Sequence, residues 1–339
     1  MSILDVLRPQ RPEGPLNRDG QLWSKLWLDQ RNALKRIKKK LRRGEIDEPR
    51  AQQLRQYAEL GYLKLSLDLD AAVTDQLNED VERLWRERPG NVSYAYHSLL
   101  TPFTRADPEH RKPSCRIADL HSASETALGL YLHREIFSVI DEIFGEPSVA
   151  TQSLYFEWGS QQGLHRDPVY VQMNPASHLA AAWIALEDIG PDCGPLVYVP
   201  GSHRLPYYLY QPDRYTFDHL ADGQEQLEAA QAWDQQHTSS AGLELETFTC
   251  KRGEVLIWHH SLLHGGSYPT DPALTRKSFV IHFTTLASMP KVQNSYLTSD
   301  DGSPAIYESE QLLVRDGCHG FDSPLAVHCR QPASEETSP

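Results

Sequence analysis

The chain has 339 residues, 40% hydrophobic and 23% charged, with seven Trp and fifteen Tyr; that supplies a sizeable core and excludes wholesale disorder. A length of this order suggests about two domains at ~150 residues each, although barrels often exceed that size. The net charge of −13 argues against a general nucleic-acid binder, and no apolar run approaches the ~20 residues of a membrane span. The N-terminus, MSILDVLRPQRPEGPLNRDG, has no basic start followed by an apolar stretch, so no secretory signal is expected. Cysteines 115, 193, 250, 318 and 329 are odd in number and lack a CxxC pair. They read as free thiols in a reducing cytoplasm.

Residues 31–43 (RNALKRIKKKLRR) carry eight Lys or Arg and no acid, so the rest of the chain stands at −21. Trp23, Trp27, Leu34, Ile37 and Leu41 fall mostly at helical steps, the stripe of an amphipathic helix. Residues 23–43 could dock an anionic membrane surface or a carrier protein; alternatively the helix packs and leaves a solvated basic face. Helices are also expected over 51–60, 71–87 and 125–145, with a short strand at GYLKLSL between the first two. Residues 89–122 are rich in Pro and Ser and read as a long loop.

From residue 150 the texture becomes short strands divided by turns. Expected strands are 153–158, 165–173, 178–188, 195–200, 254–260 and 277–285. Residues 203–246 form a long insertion with a helical Glu/Gln-rich part. The expected fold class is mainly β with surrounding α, a sandwich or barrel with a helical N-terminal half. The segment 331–339 is expected to be a disordered tail.

His165-Arg166-Asp167 is an HxD, and on a strand residues i and i+2 share one face. An imidazole and a carboxylate there can grip one metal ion, with His264 in LLHGGS the candidate third ligand. Two His and one carboxylate leave the opposite positions open, which suits non-haem Fe(II) that must bind cosubstrate and O2 together. Rivals exist: Asp119-Leu120-His121 is also acid–x–His, and His259 and His260 are neighbours of which at most one faces inward. Arg276 opens the strand KSFVIHFTT; a buried Arg at a barrel mouth needs an anion, and its planar fork matches a carboxylate. Ser267 or Thr275 could add a hydroxyl.

In order and spacing, HxDxxY from His165 to Tyr170, AWIALED, GPLVYVPGSH, GEVLIWHHSLLHGGS and Arg276 resemble the phytanoyl-CoA dioxygenase family. The resemblance covers roughly residues 55–290 and is sharp over 150–285. It implies a double-stranded β-helix, a cupin-like jelly roll, and an Fe(II)- and 2-oxoglutarate-dependent oxygenase. It implies His165, Asp167 and His264 as iron ligands and Arg276 as the clamp on the 2-oxoglutarate carboxylate. Trp183 would line the cosubstrate pocket and Gln152 would touch 2-oxoglutarate, while His203 in the PGSH turn is structural. The family's hydroxyl two residues after the distal His is replaced by Gly266, with Ser267 following. Asp167 stands where halogenase-like relatives lack the carboxylate, which argues against halogenation.

The implied reaction hydroxylates an unactivated C–H of a small metabolite or carrier-linked substrate and releases succinate and CO2. The 89–122 loop and the 203–246 insertion are the expected substrate selectors, with Arg116, His121, Tyr207, Tyr208, Tyr210 and Arg214 as candidates. Arg116, Arg166 and Arg214 favour an anionic substrate. The expected organisation is an N-terminal extension over 1–48, one dioxygenase domain over 49–330, then the tail. The alternative is a cupin-like binding or sensing protein without turnover.

Overall fold

The computed structural model describes residues 24–87, 93–95, 104–105, 109, 111–171, 173, 175–212, 214–218, 221–288, 293–298, 304–306 and 312–322. Trp23, His97, Cys329 and the 331–339 tail lie outside the described residues, as does part of the 89–122 loop.

The basic segment forms α1 (Ala33–Arg42), preceded by a separate 3-10 turn at Trp27–Asp29. Ile37 is fully buried and Leu41 packs on the same core. Ile37 and Leu41 therefore face inward, whereas Leu34 of the same stripe is exposed. Leu26, Trp27 and Leu28 belong to that core, and the Trp27 indole donates to the Glu142 carbonyl at 3.0 Å. Helix α2 (Glu48–Leu60) starts where the Asp47 carboxylate accepts from the Arg50 amide at 2.8 Å, and it ends at Gly61 in the left-handed region, φ 81°. These are the expected cap chemistries. Helix α3 spans Ala71–Glu87.

The single helix expected over 125–145 is two, α4 (Glu125–Tyr131) and α5 (Arg134–Phe144). Gly129 weakens the first of them. The break at Leu132 lies where Gly320 presses its backbone on Tyr131 and Leu132; a Cβ there would sit 2.9 Å from Leu132 Cδ2.

The strands are β1 (Tyr62–Ser66), β2 (Ser93–Ala95), β3 (Thr104–Arg105), β4 (Arg116–Ala118), β5 (Ser148–Phe156), β6 (Ala180–Ala185) and β7 (Leu196–Tyr198). They continue with β8 (Glu246–Phe248), β9 (Glu254–His259), β10 (His264–Gly266), β11 (Ser278–Thr285), β12 (Gln293–Thr298), β13 (Pro304–Ile306), β14 (Leu312–Arg315) and β15 (Cys318–Phe321). The major sheet runs β1-β9-β6-β11-β5-β4-β2-β3, with the β14–β15 hairpin joined to β5; the minor sheet runs β10-β7-β8. Helix α6 (Gln224–Ser240) lies in the insertion between β7 and β8.

Strand alternation sorts the major sheet's side chains onto two faces. Val255, Ile257, Ile184, Phe279 and Ile281 pack against the helical layer. Leu154, Phe156, Trp183, Leu256, Trp258 and Val280 turn the other way and meet Leu196, Tyr198 and Phe248 of the minor sheet. Two antiparallel sheets closing on this second core form the cupin-like jelly roll, with helices covering its outer face. Among the described residues no helix is long and apolar enough to cross a membrane.

Candidate active site

The segment 165–173, expected as a strand, makes a single bridge and then a 3-10 turn at Asp167–Val169. Pro168 has no amide hydrogen to continue a ladder, which is the physical reason. His165 and His264 exchange both backbone hydrogen bonds, at 2.9 and 3.1 Å, so this one rung adds the HxD segment to the edge of the minor sheet beside β10. Gly265 makes that approach possible, because a Cβ there would lie 2.7 Å from the Gln162 carbonyl oxygen.

One ligand atom from each of His165, Asp167 and His264 lies within 4.8 Å of the others, a group that could hold a metal ion. The supporting bonds aim all three. The Nδ1 of His165 meets the Gly163 carbonyl at 2.8 Å and that of His264 meets the Leu262 carbonyl at 3.0 Å. Each Nδ1 therefore carries the proton, and each Nε2 keeps its lone pair for a metal. Asp167 Oδ2 accepts from the Trp258 indole at 2.7 Å, while Oδ1 lies 3.4 Å from His264 Nε2. Burial, followed by the nearby His264, pushes the His165 imidazole down to about 3, so the ring stays neutral as a ligand must. The donor set, two imidazoles and a carboxylate on one side of a buried position, fits iron with open sites for other ligands.

Arg276 is 1% exposed, and its Nε and Nη1 have no hydrogen-bond partner among the described residues. Its guanidinium carbon lies 5.4 Å from the Trp183 ring centre and 5.8 Å from that of Phe156. Burial lowers its pKa to about 10. The Cys193 and Cys250 thiols nearby are no counter-ions, since burial pushes both up, Cys250 to about 12. The Glu187 carboxylate accepts instead from Thr275 at 2.8 Å and the Lys277 amide at 2.7 Å. A buried guanidinium left this way calls for an anionic ligand.

Trp183, on β6, turns into the same inner core. Gln152 lies opposite His282 in the β5–β11 pair and shares the inner face with Leu154. His282 is buried, and desolvation lowers its pKa. The Ser267 hydroxyl is engaged by the Pro195 carbonyl at 2.7 Å, and Thr275 is held by Glu187. Arg116 lies over the Phe156 ring at 5.7 Å and reaches Gln162 at 3.4 Å.

Three substrate candidates are placed differently from expectation. His121 is not brought to the site: its ring stacks on Tyr131 at 3.7 Å and bonds Ser153 Oγ and the Phe321 carbonyl at 2.7 and 2.9 Å. It hangs from the outer face, among the helices. Arg214 forms a two-pronged ion pair with Asp222 at 2.6 and 2.7 Å, and Arg166 is held by Asp234 at 2.8 Å and the Ser261 carbonyl at 3.1 Å. Their charge is already balanced within the fold. Tyr207 does line a small, partly open cavity that His165 also lines. Its hydroxyl lies 2.5 Å from Ser261 Oγ and 3.3 Å from His260 Nε2. His259 points outward to Asp29 at 3.1 Å, so neither of that adjacent pair joins the metal donors.

Sequence reading missed Trp258 and Asp234. A strand tryptophan reads as core, and an acid on a polar helix reads as solvated. The alternation that puts Leu256 and Trp258 on one face of EVLIWHH was the available signal for the first.

A cupin-like jelly roll enclosing a facial two-histidine, one-carboxylate donor set defines the non-haem iron oxygenase class. The phytanoyl-CoA dioxygenase family model matches residues 57–271, and the chain belongs to that family. Iron and 2-oxoglutarate are the cofactor pair that goes with this family and this donor set. Two curated relatives, the phytanoyl-CoA dioxygenase domain-containing protein 1 homologs of Caenorhabditis elegans and Caenorhabditis briggsae, are each 30% identical over 90 residues. That stretch is 25% of this chain and 31% of each relative, so the match spans under a third of the curated relatives' length. Among solved structures, the non-heme alpha ketoglutarate dependent epimerase SnoN superposes with a TM-score of 0.53 at 17% identity, covering 80% of this chain and 98% of that one. The carbocyclase SnoK gives 0.53 at 17%, covering 78% and 95%. Apo EctD from S. alaskensis gives 0.50 at 18%, covering 73% and 80%.

Proposed function

We propose that the protein is an Fe(II)- and 2-oxoglutarate-dependent oxygenase that hydroxylates an unactivated C–H bond of a small molecule. It consumes O2 and 2-oxoglutarate and releases succinate and CO2. The observation that carries the reading is the coexistence, inside one jelly roll, of the His165–Asp167–His264 donor group and the buried, partly unsatisfied Arg276 guanidinium. The first suits the metal and the second suits the far carboxylate of a dicarboxylate cosubstrate.

In this reading the iron and its cosubstrate supply the oxidising power for C–H chemistry when bound. The chain supplies placement. The Gly163 and Leu262 carbonyls hold both imidazoles in the tautomer that presents Nε2. Trp258 occupies one oxygen of Asp167 and leaves the other for the metal. Arg276, kept dry beneath Trp183 and Phe156, grips the cosubstrate in an environment where charge pairing is strong. Trp183 and Gln152 wall the cosubstrate, and Ser267 stabilises the turn beside it through Pro195.

Anaerobic titration of the Fe(II)-loaded chain with 2-oxoglutarate, followed by its visible charge-transfer band, tests the assignment. A band in wild type that is absent in His165→Ala supports it; no band in iron-loaded wild type would return the scaffold to a binding or sensing role. Arg276→Ala should weaken 2-oxoglutarate by about 2–5 kcal/mol, and unchanged affinity would move the clamp elsewhere. Hydroxylation is separated from epimerisation or ring closure by one labelled oxygen atom from O2 appearing in the product.

A further inference from the structure

We infer that His282 is the hydrogen-bond donor to the metal-facing carboxylate of the 2-oxoacid cosubstrate, completing at one end the grip that Arg276 makes at the other. This role rests on the proposed oxygenase reading and adds a residue to it. Across β5, β11, β6 and β9 the register aligns Gln152, His282, Ala181 and Trp258 in one row. Alternation puts His282 on the inner face with Val280, where Ala181 and Trp258 also lie. The Trp258 indole holds Asp167 at 2.7 Å and its ring lies 4.4 Å from that of His264, so this row stands at the level of the metal donors. In it only the Ala181 methyl separates Trp258 from His282. Val280, opposite Trp183, is two steps away from His282, about 6.6 Å along β11, and the Arg276 guanidinium lies over Trp183. A five-carbon dicarboxylate spans such a distance. A molecule gripped by Arg276 and pointing at the metal donors therefore ends beside His282.

The strand pair is shaped to aim this residue. His282 pairs with Gln152 but Phe283 pairs with Ala150, which leaves Thr151 as an extra residue in β5. This bulge flips the alternation: Ala150 joins the core on the helical side, whereas Leu154 and Phe156 face inward. Bulges commonly re-aim side chains beside active sites. The Thr151 hydroxyl donates to the His282 carbonyl at 3.1 Å and pins the strand there. The ring itself is left unused. It is buried, and its Nδ1 has no hydrogen-bond partner among the described residues, a costly state unless a bound molecule satisfies it. Space lies on that side of the inner face. Leu154, Val280 and His282 keep 5–7% of their surface uncovered, while Ala181, Trp183 and Leu256 beside them keep 0–1%. A neutral imidazole offers one N–H, which suits a carboxylate oxygen placed between the ring and the metal donors.

Anaerobic 2-oxoglutarate titration of the Fe(II)-loaded full chain, followed by its charge-transfer band, tests the role. His282→Leu removes both ring nitrogens. It should weaken 2-oxoglutarate about ten- to a hundredfold, the range for a hydrogen bond to a charged group. It should also move the band maximum, because that hydrogen bond acts on the end that chelates the metal. Arg276→Ala should weaken binding and leave the maximum in place. His282→Asn has nearly the shape of Leu and keeps an N–H close to the Nδ1 position, so it should recover most of the affinity and the band. His282→Phe replaces the Leu variant if that one does not fold. Wild-type affinity and band in the nitrogen-free variant, or His282→Asn binding no better than His282→Leu, would each overturn the role. A wild-type chain that gives no band removes the oxygenase reading and this role with it, whereas a wild-type band unaltered in the His282 variants removes this role alone.

Discussion

The Asp167 carboxylate is where a single residue's environment decides most. Bound through Oδ2 to the Trp258 indole at 2.7 Å, it is oriented with Oδ1 toward His264 Nε2, 3.4 Å away. Trp258 also lies against the His264 ring at 4.4 Å, so it positions two of the three donors without belonging to them. Trp258→Phe keeps the ring and deletes the donor. It should lower metal affinity about 10- to 100-fold, the usual effect of losing an outer partner of a ligand. Co(II) titration followed by its visible bands reads this without turnover, and unchanged affinity would show that the indole only packs. His165, Asp167 and His264 were legible in the sequence because HxD and a distal His are spaced along one chain. Trp258 was not, because its role depends on which strand lies across from the turn.

At the scale of elements, the meeting of the HxD turn with β10 depends on Gly265. A methyl group at 265 would sit 2.7 Å from the Gln162 oxygen and 3.0 Å from Gly163 C, which are backbone atoms that cannot swing aside. Gly265→Ala should cost about 1–3 kcal/mol of stability, as overpacking does, and should weaken metal binding by prising His165 from His264. A melting curve and a metal titration on the same sample check both. The helical layer carries a different dependence, on pH, through His121 against Tyr131 and Ser153. Burial lowers its pKa to about 4, below the ordinary unfolded value near 6.5. Above pH ~6.5 both states are neutral there and the residue contributes no slope; as pH falls toward 4, the unfolded chain takes up a proton that the folded one refuses. Stability is therefore lost through that window, by about 2 kcal/mol between pH 7 and 5 for this residue alone. Urea midpoints at the two pH values should differ less in His121→Gln than in wild type; an equal difference would assign the slope to other groups.

Across the whole molecule, the segment 24–47 contributes to the fold's own core. Leu26, Trp27 and Leu28 are buried with the helical layer, Trp27 bonds α5 through Glu142, and Asp29 bonds His259 at the end of β9. The two sheets also depend on parts far apart in sequence: β1 pairs with β9, and the insertion helix α6 is tied to the HxD segment by Asp234 and Arg166. Trp27→Ala should therefore destabilise the entire domain by about 3–5 kcal/mol, the range for a buried aromatic. A single cooperative denaturant transition moving to lower midpoint would show this, whereas an unmoved midpoint would make the N-terminal segment an independent appendage.

The class of the fold and the three residues of the candidate donor group could be read from the linear sequence. Both are written as local pattern: alternating strands, turn residues, HxD, a distal His and an Arg opening a strand. It also gave the amphipathic stripe of α1 and the helical stretch of the insertion, because periodicity is local as well. Where charge ends up is set by long-range contacts. Arg166 and Arg214, expected as handles for an anionic substrate, are held by Asp234 and Asp222, 68 and 8 residues away along the chain. His121 read as a loop residue near the site until its strand neighbour turned it to the outer face. Pairing, burial and facing are long-range properties, and a linear pattern carries the residues that can make them without saying which of them meet.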